Sequence, residues 1–154
     1  MTAAIMIQLI TGAIGSVGFG ILFHIKKKYL PLAAVGGFLS WLVFLLGKEF
    51  WGNVFLPTLM AGFVTDVYAE ILARICKETS TSFFVTSVIP LIPGSTLYYT
   101  MNAVVNANPD GFSHYGSLTV QYALSIAAGI SVVWTFWSIF RKYRLLKTTE
   151  ENRI

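Results

Sequence analysis

Long apolar stretches alternate with short polar ones along this chain. Five stretches stand out: Ala3–Phe23, Leu30–Gly47, Phe50–Ala73, Thr81–Val105 and Tyr115–Phe140. About 20 apolar residues in a helix cross a ~30 Å hydrocarbon core. The pattern therefore predicts an all-α integral membrane protein with about five transmembrane helices. The second stretch is short, and the third and fourth carry polar residues or prolines. A single transmembrane domain is expected over residues 1–146. The polar end, KTTEENRI at residues 147–154, reads as a short, frayed, solvated cytoplasmic tail.

Composition agrees. The 154 residues are 55% hydrophobic and 12% charged, with a mean hydropathy of +0.68. A soluble domain carries about 25% charged residues, so this chain lacks the charge to cover a water-facing surface. The net charge of +4 does not point to nucleic acid, because the charges form short clusters between apolar runs. Lys26, Lys27 and Lys28 follow the first span, Arg74 and Lys77 follow the third, and Arg141, Lys142, Arg144, Lys147 and Arg153 follow the fifth. With five spans these clusters share one side, which takes ten of the eleven basic residues. Positive residues favour the cytoplasm, so the N-terminus is expected outside and the C-terminus inside. A cleaved signal has its positive charges in front of the apolar run. Here they follow it, as in a retained helix. The single cysteine, Cys76, excludes an intrachain disulfide and reads as a reduced thiol on the cytosolic side.

Small residues recur at helical spacing: Gly12, Ser16 and Gly20 in the first span, Gly36, Gly37 and Ser40 in the second, Ala123, Ala127 and Ser131 in the last. Such spacing lets backbones approach where no hydrophobic drive exists between helices. It suits a bundle packed within the chain, with a partner, or with a second copy in a homo-oligomer. Tyr29, Trp51, Tyr115, Trp137 and Tyr143 fall at span ends, where amphipathic rings sit at the interface.

The fourth span is interrupted. SVIPLIPGSTLYY (Ser87–Tyr99) contains Pro90, Pro93 and Gly94. Pro90 cannot donate to the carbonyl of Thr86, nor Pro93 to that of Ile89, and each ring clashes with its i−4 carbonyl. Ile92 is pushed toward extended backbone by the proline after it. Gly94 tolerates angles that other residues avoid. Two half-helices, about Thr81–Ile89 and Ser95–Val105, are expected on either side of an unwound Pro-Leu-Ile-Pro-Gly segment near the bilayer midplane. Broken helices at that depth recur in secondary transporters, with half-helix N-termini facing anionic groups. The amides of Ser95, Thr96 and Leu97 would form such a terminus, and the hydroxyls of Ser95 and Thr96 can cap it or donate. A carboxylate would suit that site. A proline kink that only shapes the bundle is the plainer reading.

Asp66, Glu70 and Arg74 share one helical face at i, i+4, i+8. Arg74 marks the cytoplasmic edge, so Asp66 lies roughly 12 Å deeper, about level with Ile89 and Pro90. An ionisable group at that depth is a functional candidate, because desolvation is expensive. Asp66 and Glu70 are candidate carriers of a coupling proton. The plainer readings are a structural polar contact for Asp66 and an i,i+4 ion pair with Arg74 for Glu70. Asn53, Asn102 and Asn106 are further polar candidates. His24 and His114 lie at loop edges without a second ligand nearby in sequence, so no metal site is expected. No nucleophile elbow, phosphate loop or metal motif occurs. The chain does not read as an enzyme, and it requires no cofactor.

AEILARICKETSTSFFVTSVIPLIPGSTLYYTM (Ala69–Met101) resembles the bacterial threonine/serine exporter family, specifically the short C-terminal-half subunit of its split form. The matching residues are Ala69, Glu70, Ala73 and Arg74 at a helix end, a threonine-rich turn, then Pro90, Pro93, Gly94 and Tyr98 on the next helix. YLPLAAVGGFLSWLVF (Tyr29–Phe44) is also similar to the family's second helix. About 50 residues carry specific matches. The resemblance implies export of small amino or carboxylic acids from the bacterial cell, across its inner membrane, driven by an ion gradient. It implies a substrate site at Pro90, Pro93, Gly94, Ser95, Thr96 and Tyr98. It also implies a longer partner subunit with a cytoplasmic domain and about five spans of its own, the two halves being related as inverted repeats. Related split exporters are associated with succinate. A dicarboxylate exporter subunit and a non-transporting assembly or scaffold subunit remain alternatives.

Overall fold

The computed structural model describes the backbone of residues 2–151, with side chains from residue 3 to 140 and at Lys142. It is helical throughout, with no strand among the described residues. The helices are α1 (Thr2–Leu22), α2 (Leu30–Trp51), α3 (Phe55–Cys76), α4 (Ser80–Val88), α5 (Gly94–Val105) and α6 (Pro109–Glu151). Ala3–Leu22, Lys27–Trp51, Phe55–Cys76 and Pro109–Phe140 are each long and apolar enough to cross a membrane. Ser80–Leu91 and Gly94–Val105 meet that test only together, as one span bent by 57°. This is an all-α membrane protein with a broken fourth span.

Several boundaries differ from the sequence expectation. α2 does not end at Gly47 but continues to Trp51, where Gly52 adopts φ +62° and returns its amide to the carbonyl of Lys48. A left-handed residue just past the last turn is the usual helix stop, whereas Lys48 and Glu49 are good helix formers. The third span accordingly begins at Phe55 rather than Phe50. It ends at Cys76 rather than Ala73, where Lys77 at φ 54° closes the helix. The connection expected between Val105 and Tyr115 shrinks to three residues, 106–108. Asn108 Oδ1 accepts the Gly111 amide, and Pro109 opens α6, a position where its missing N–H costs nothing. The backbone of α6 stays helical to Glu151, so residues 147–151 end the helix instead of forming a separate tail. Residues 152–154, and the side chain of Tyr143, lie outside the described part.

Small residues set the closest helix contacts. A Cβ on Gly37 would fall 1.9 Å from Ser16 Oγ, and one on Gly36 1.9 Å from Ser87 Oγ. These two glycines seat α1 and α4 against α2. At Gly129, a Cβ would fall 2.7 Å from the backbone oxygen of Leu59 and 3.0 Å from the Phe63 amide, so α6 crosses α3 with backbones almost touching. The stripe of Ala123, Ala127 and Ser131, by contrast, is exposed. Serine and threonine hydroxyls mostly bond back to the i−4 carbonyl of their own helix, as Thr58, Thr65, Ser125 and Ser131 do. That satisfies them without water.

Two apolar clusters tie α2, α3 and α4 together. Tyr29, Ala69, Leu72 and Phe83 pack together, and Phe44, Ala61, Val88 and Leu91 form the other. Tyr29 is therefore a core residue rather than an interfacial one. Its ring meets Phe83 edge-on at 5.5 Å, and its hydroxyl donates to the carbonyl of Cys76. Nearby, Lys26 of the α1–α2 connection pairs with Glu78 of the α3–α4 connection, so both connections occupy one face, called here the lysine end. The hydrogen bond from Lys26 to Glu78, then the charge of Glu78, raises the lysine pKa above its ordinary 10.5. The pair's small contribution is present below the unfolded-state value and fades only as pH climbs through the raised folded one. It therefore holds across the neutral range.

Candidate functional site

The break in the fourth span is tighter than an unwound strand. Ile89–Leu91 form a single 3-10 turn, closed by the Ile92 amide donating to the carbonyl of Ile89 at 3.1 Å. Only Ile92 is extended, with ψ 126°. Pro93 has φ −78° and ψ 56°, and the Gly94 amide donates across it to the carbonyl of Ile92 at 2.8 Å. That is an inverse γ-turn. The physical reason is the bilayer itself: backbone groups freed by the two prolines have no water at that depth, so the shortest available ring closes the gap. Gly94 is not needed for unusual angles, since Gly52 is the glycine with positive φ among the described residues. Nor is it needed for space, because a Cβ there would meet nothing within 4 Å.

Beyond the break α5 packs along α6. Tyr99 lies 5.1 Å from Tyr115, ring to ring, and Thr100 faces Thr119 at 3.4 Å. The first turn of α5 is partly occupied. The Leu97 amide donates to the carbonyl of Pro93 at 3.0 Å, and Thr96 Oγ donates to the same oxygen at 3.1 Å. No side chain caps the helix. The amides of Ser95 and Thr96 have no acceptor among the described residues, so two of the three expected donors are available.

The sequence-derived residues divide into three places. Pro90 lines a groove of about 280 Å³ with Ile89, Gln8, Thr11, Gly12, Gly15 and Trp41. Gly94, Ser95 and Tyr98 are exposed on the outer side of the bend, while Pro93 and Thr96 are half-buried. Asp66 is buried at 7% exposure on α3, with no hydrogen-bond donor to its carboxylate among the described residues. It lies between Ala61, which packs at the level of Val88 and Leu91, and Ala69, which packs at the level of Phe83. Its depth is thus nearer Thr86 and Ser87 than Pro90, about one helical turn or ~5 Å toward the lysine end. Glu70 is half-buried, with Arg74 at 3.8 Å, and the Arg74 guanidinium lies 3.5 Å over the ring of Trp137.

The polar residues left over take local roles. Asn53 Oδ1 accepts the Leu56 amide at the start of α3. Asn106 bonds back to Asn102 at the end of α5. His24 serves as a left-handed turn residue at φ 55°, and His114 is exposed. No cluster of metal-ligating side chains occurs among the described residues.

The contribution of α1 was missed from sequence. Gln8, Thr11, Gly12 and Gly15 follow the i, i+3, i+4, i+7 spacing of one helical face, and Gln8 Oε1 lies 3.4 Å from Trp41 Nε1. The signal was Gln8 with Thr11 nearly one helical turn away, in a span without charged residues. Read only for small residues, that face reveals its packing partner and not its polar lining.

A bundle of helices long and apolar enough to cross a membrane, bent at a break beside a small and mostly apolar groove, defines a multi-pass membrane protein. Residues 8–136 match the family model described as Threonine/Serine exporter, ThrE, and the chain belongs to that family. No solved structure matches it.

Proposed function

We propose that the chain is one membrane subunit of a secondary exporter of threonine and serine, working with a longer partner subunit that has a cytoplasmic domain and about five spans. One observation carries this reading. The break faces outward: Ile92 is 50% exposed, Gly94 and Ser95 are exposed, and two amides of α5 lack acceptors. Irregular backbone at membrane depth persists only where protein buries it or where it lines a watery cavity. A second half closing over this surface would supply that cover and enclose the substrate. The substrate carboxylate then meets the Ser95 and Thr96 amides, beside Pro93, Gly94 and Tyr98, while Pro90 stands apart in the groove against α1 and α2. Asp66 carries the coupling proton, and Glu70 steadies Arg74. The lysine end faces the cytoplasm of the bacterial cell, with the N-terminus outside.

A dicarboxylate such as succinate would use the same amides but needs a second cationic contact. The groove at Pro90 offers Gln8, Thr11 and Trp41 and no lysine or arginine. That counts against a second carboxylate in the groove. Co-expression of both subunits with efflux measured for threonine, serine and succinate tests the proposal. Threonine and serine efflux is expected only with both present. Efflux from this chain alone would remove the two-subunit requirement, and efflux of succinate alone would replace the substrate.

A variant carrying Gly94→Leu with Ser95→Ala separates transport from folding. Neither position is packed, so membrane levels should match the parent protein. Threonine efflux should drop about tenfold, because the leucine side chain obstructs the approach to the Ser95 and Thr96 amides, which the substitutions leave in place. Normal efflux at normal levels would identify a non-transporting or scaffold subunit.

A further inference from the structure

A second cavity lies between α3 and α6, away from the break. It holds about 410 Å³ and is walled by Phe63, Val67, Ile71, Val132, Val133 and Phe136, with Glu70 and Trp137 also lining it. Its origin is the glycine crossing. α3 and α6 touch at Gly62 and Gly129, and the cavity opens between them on the lysine-end side of that contact. A helix about 10 Å across fills about 420 Å³ per turn. The cavity therefore cannot enclose a whole helix crossing the bilayer, and its apolar wall suits one hydrocarbon chain.

The cavity wall is almost wholly apolar, and its few polar groups, the Glu70 carboxylate among them, gather at the lysine end. Trp137 Nε1 is buried with no acceptor among the described residues. Arg74 lies over the same indole at 3.5 Å, and its contact with Glu70 at 3.8 Å is longer than a hydrogen bond. Arginine has five N–H donors, so most of them are left for another group. Lys142, one helical turn or so beyond Trp137, is exposed. Indole rings favour the membrane interface, and basic pockets between membrane helices suit anionic headgroups.

We infer that this slot holds one acyl chain of an anionic glycerophospholipid, its ester carbonyl accepting from Trp137 Nε1 and its phosphate resting on Arg74. The test uses the full-length chain, purified in mild detergent and exchanged free of native lipid. Phosphatidylglycerol, phosphatidylcholine or inorganic phosphate is added, and bound molecules are counted by native mass spectrometry. One phosphatidylglycerol per chain should be retained about tenfold better than phosphatidylcholine, the scale of a charge-assisted contact. Arg74→Gln should remove that preference. Trp137→Phe, which keeps a ring and deletes the N–H, should lower retention of both lipids a few-fold. Val133→Trp should fill the slot and abolish retention. If that variant does not fold, Trp137→Phe decides. Equal retention of the two lipids would overturn the inference. So would retention untouched by Arg74→Gln and Trp137→Phe, displacement by inorganic phosphate alone, or loss of the lipid when a second subunit binds.

Discussion

Asp66→Asn should abolish the dependence of threonine efflux on a pH gradient while leaving the protein in the membrane at normal level. Asp66 is 7% exposed, on the part of α3 between its two packed clusters, and no donor reaches its carboxylate among the described residues. Its oxygens are not among the enclosed side-chain atoms that lack a partner, so the carboxylate stays reachable from outside the packed clusters. A carboxyl that exchanges a proton with the transport cycle needs no permanent partner. Asparagine keeps the size and removes the ionisation. Proton-driven efflux should therefore fall at least about tenfold, while counterflow of labelled threonine at equal pH persists, as expected when only the titrating group is lost. Glu70→Gln is the matched control. Glu70 already faces Arg74 at 3.8 Å, and its loss should leave the pH dependence in place. Unchanged gradient dependence in Asp66→Asn would remove this residue from the mechanism.

Gly129→Val should be strongly destabilising. A Cβ at position 129 would lie 2.7 Å from the backbone oxygen of Leu59 and 3.3 Å from the backbone carbon of Gly62. No rotamer change relieves a clash with backbone, so α3 and α6 must separate along their contact. Overpacking of this kind costs about 3 kcal/mol, more than a hundredfold in the folding equilibrium. The effect would be read as loss of folded protein in detergent titrations. At Gly37 the Ser16 hydroxyl can rotate away, but Ser16 Cβ at 2.7 Å and the Gly12 backbone oxygen at 3.0 Å cannot, so Gly37→Ala should also be clearly destabilising. Gly18 is the reference: nothing lies within 4 Å of its would-be Cβ. Gly18→Ala should stabilise by about 0.5–1 kcal/mol through helix propensity alone. A melting point for Gly129→Val equal to that of Gly18→Ala would mean the two helices do not cross there.

Much of this architecture was legible along the chain because a bilayer imposes a one-dimensional rule. A span needs about 20 apolar residues, and prolines at 90 and 93 interrupt one wherever they sit. The five spans and the location of the break follow from those two facts. The helix ends were less legible. Charged Lys48 and Glu49 look like a loop, yet they form helix readily, and the stop comes from Gly52 at positive φ. The role of Gly94 was misread for a similar reason. Glycine beside proline signals unusual backbone, but the inverse γ-turn places that demand on Ile92 and Pro93 instead.

Apolar run length, the proline pair and the family match over residues 8–136 are properties of the linear chain, and they settle that this is a membrane exporter-type protein with a broken fourth span. The pairing of surfaces is different. That Gln8 and Thr11 meet Pro90 in one groove, that Asp66 sits a turn below the break, and that Ser95 and Tyr98 face outward all depend on how far α5 bends from α4 and on which glycines let helices touch. In lipid every helix is apolar on most sides, so hydrophobic periodicity cannot say which face meets which neighbour. Steric fit between backbones decides it, and steric fit exists only in three dimensions.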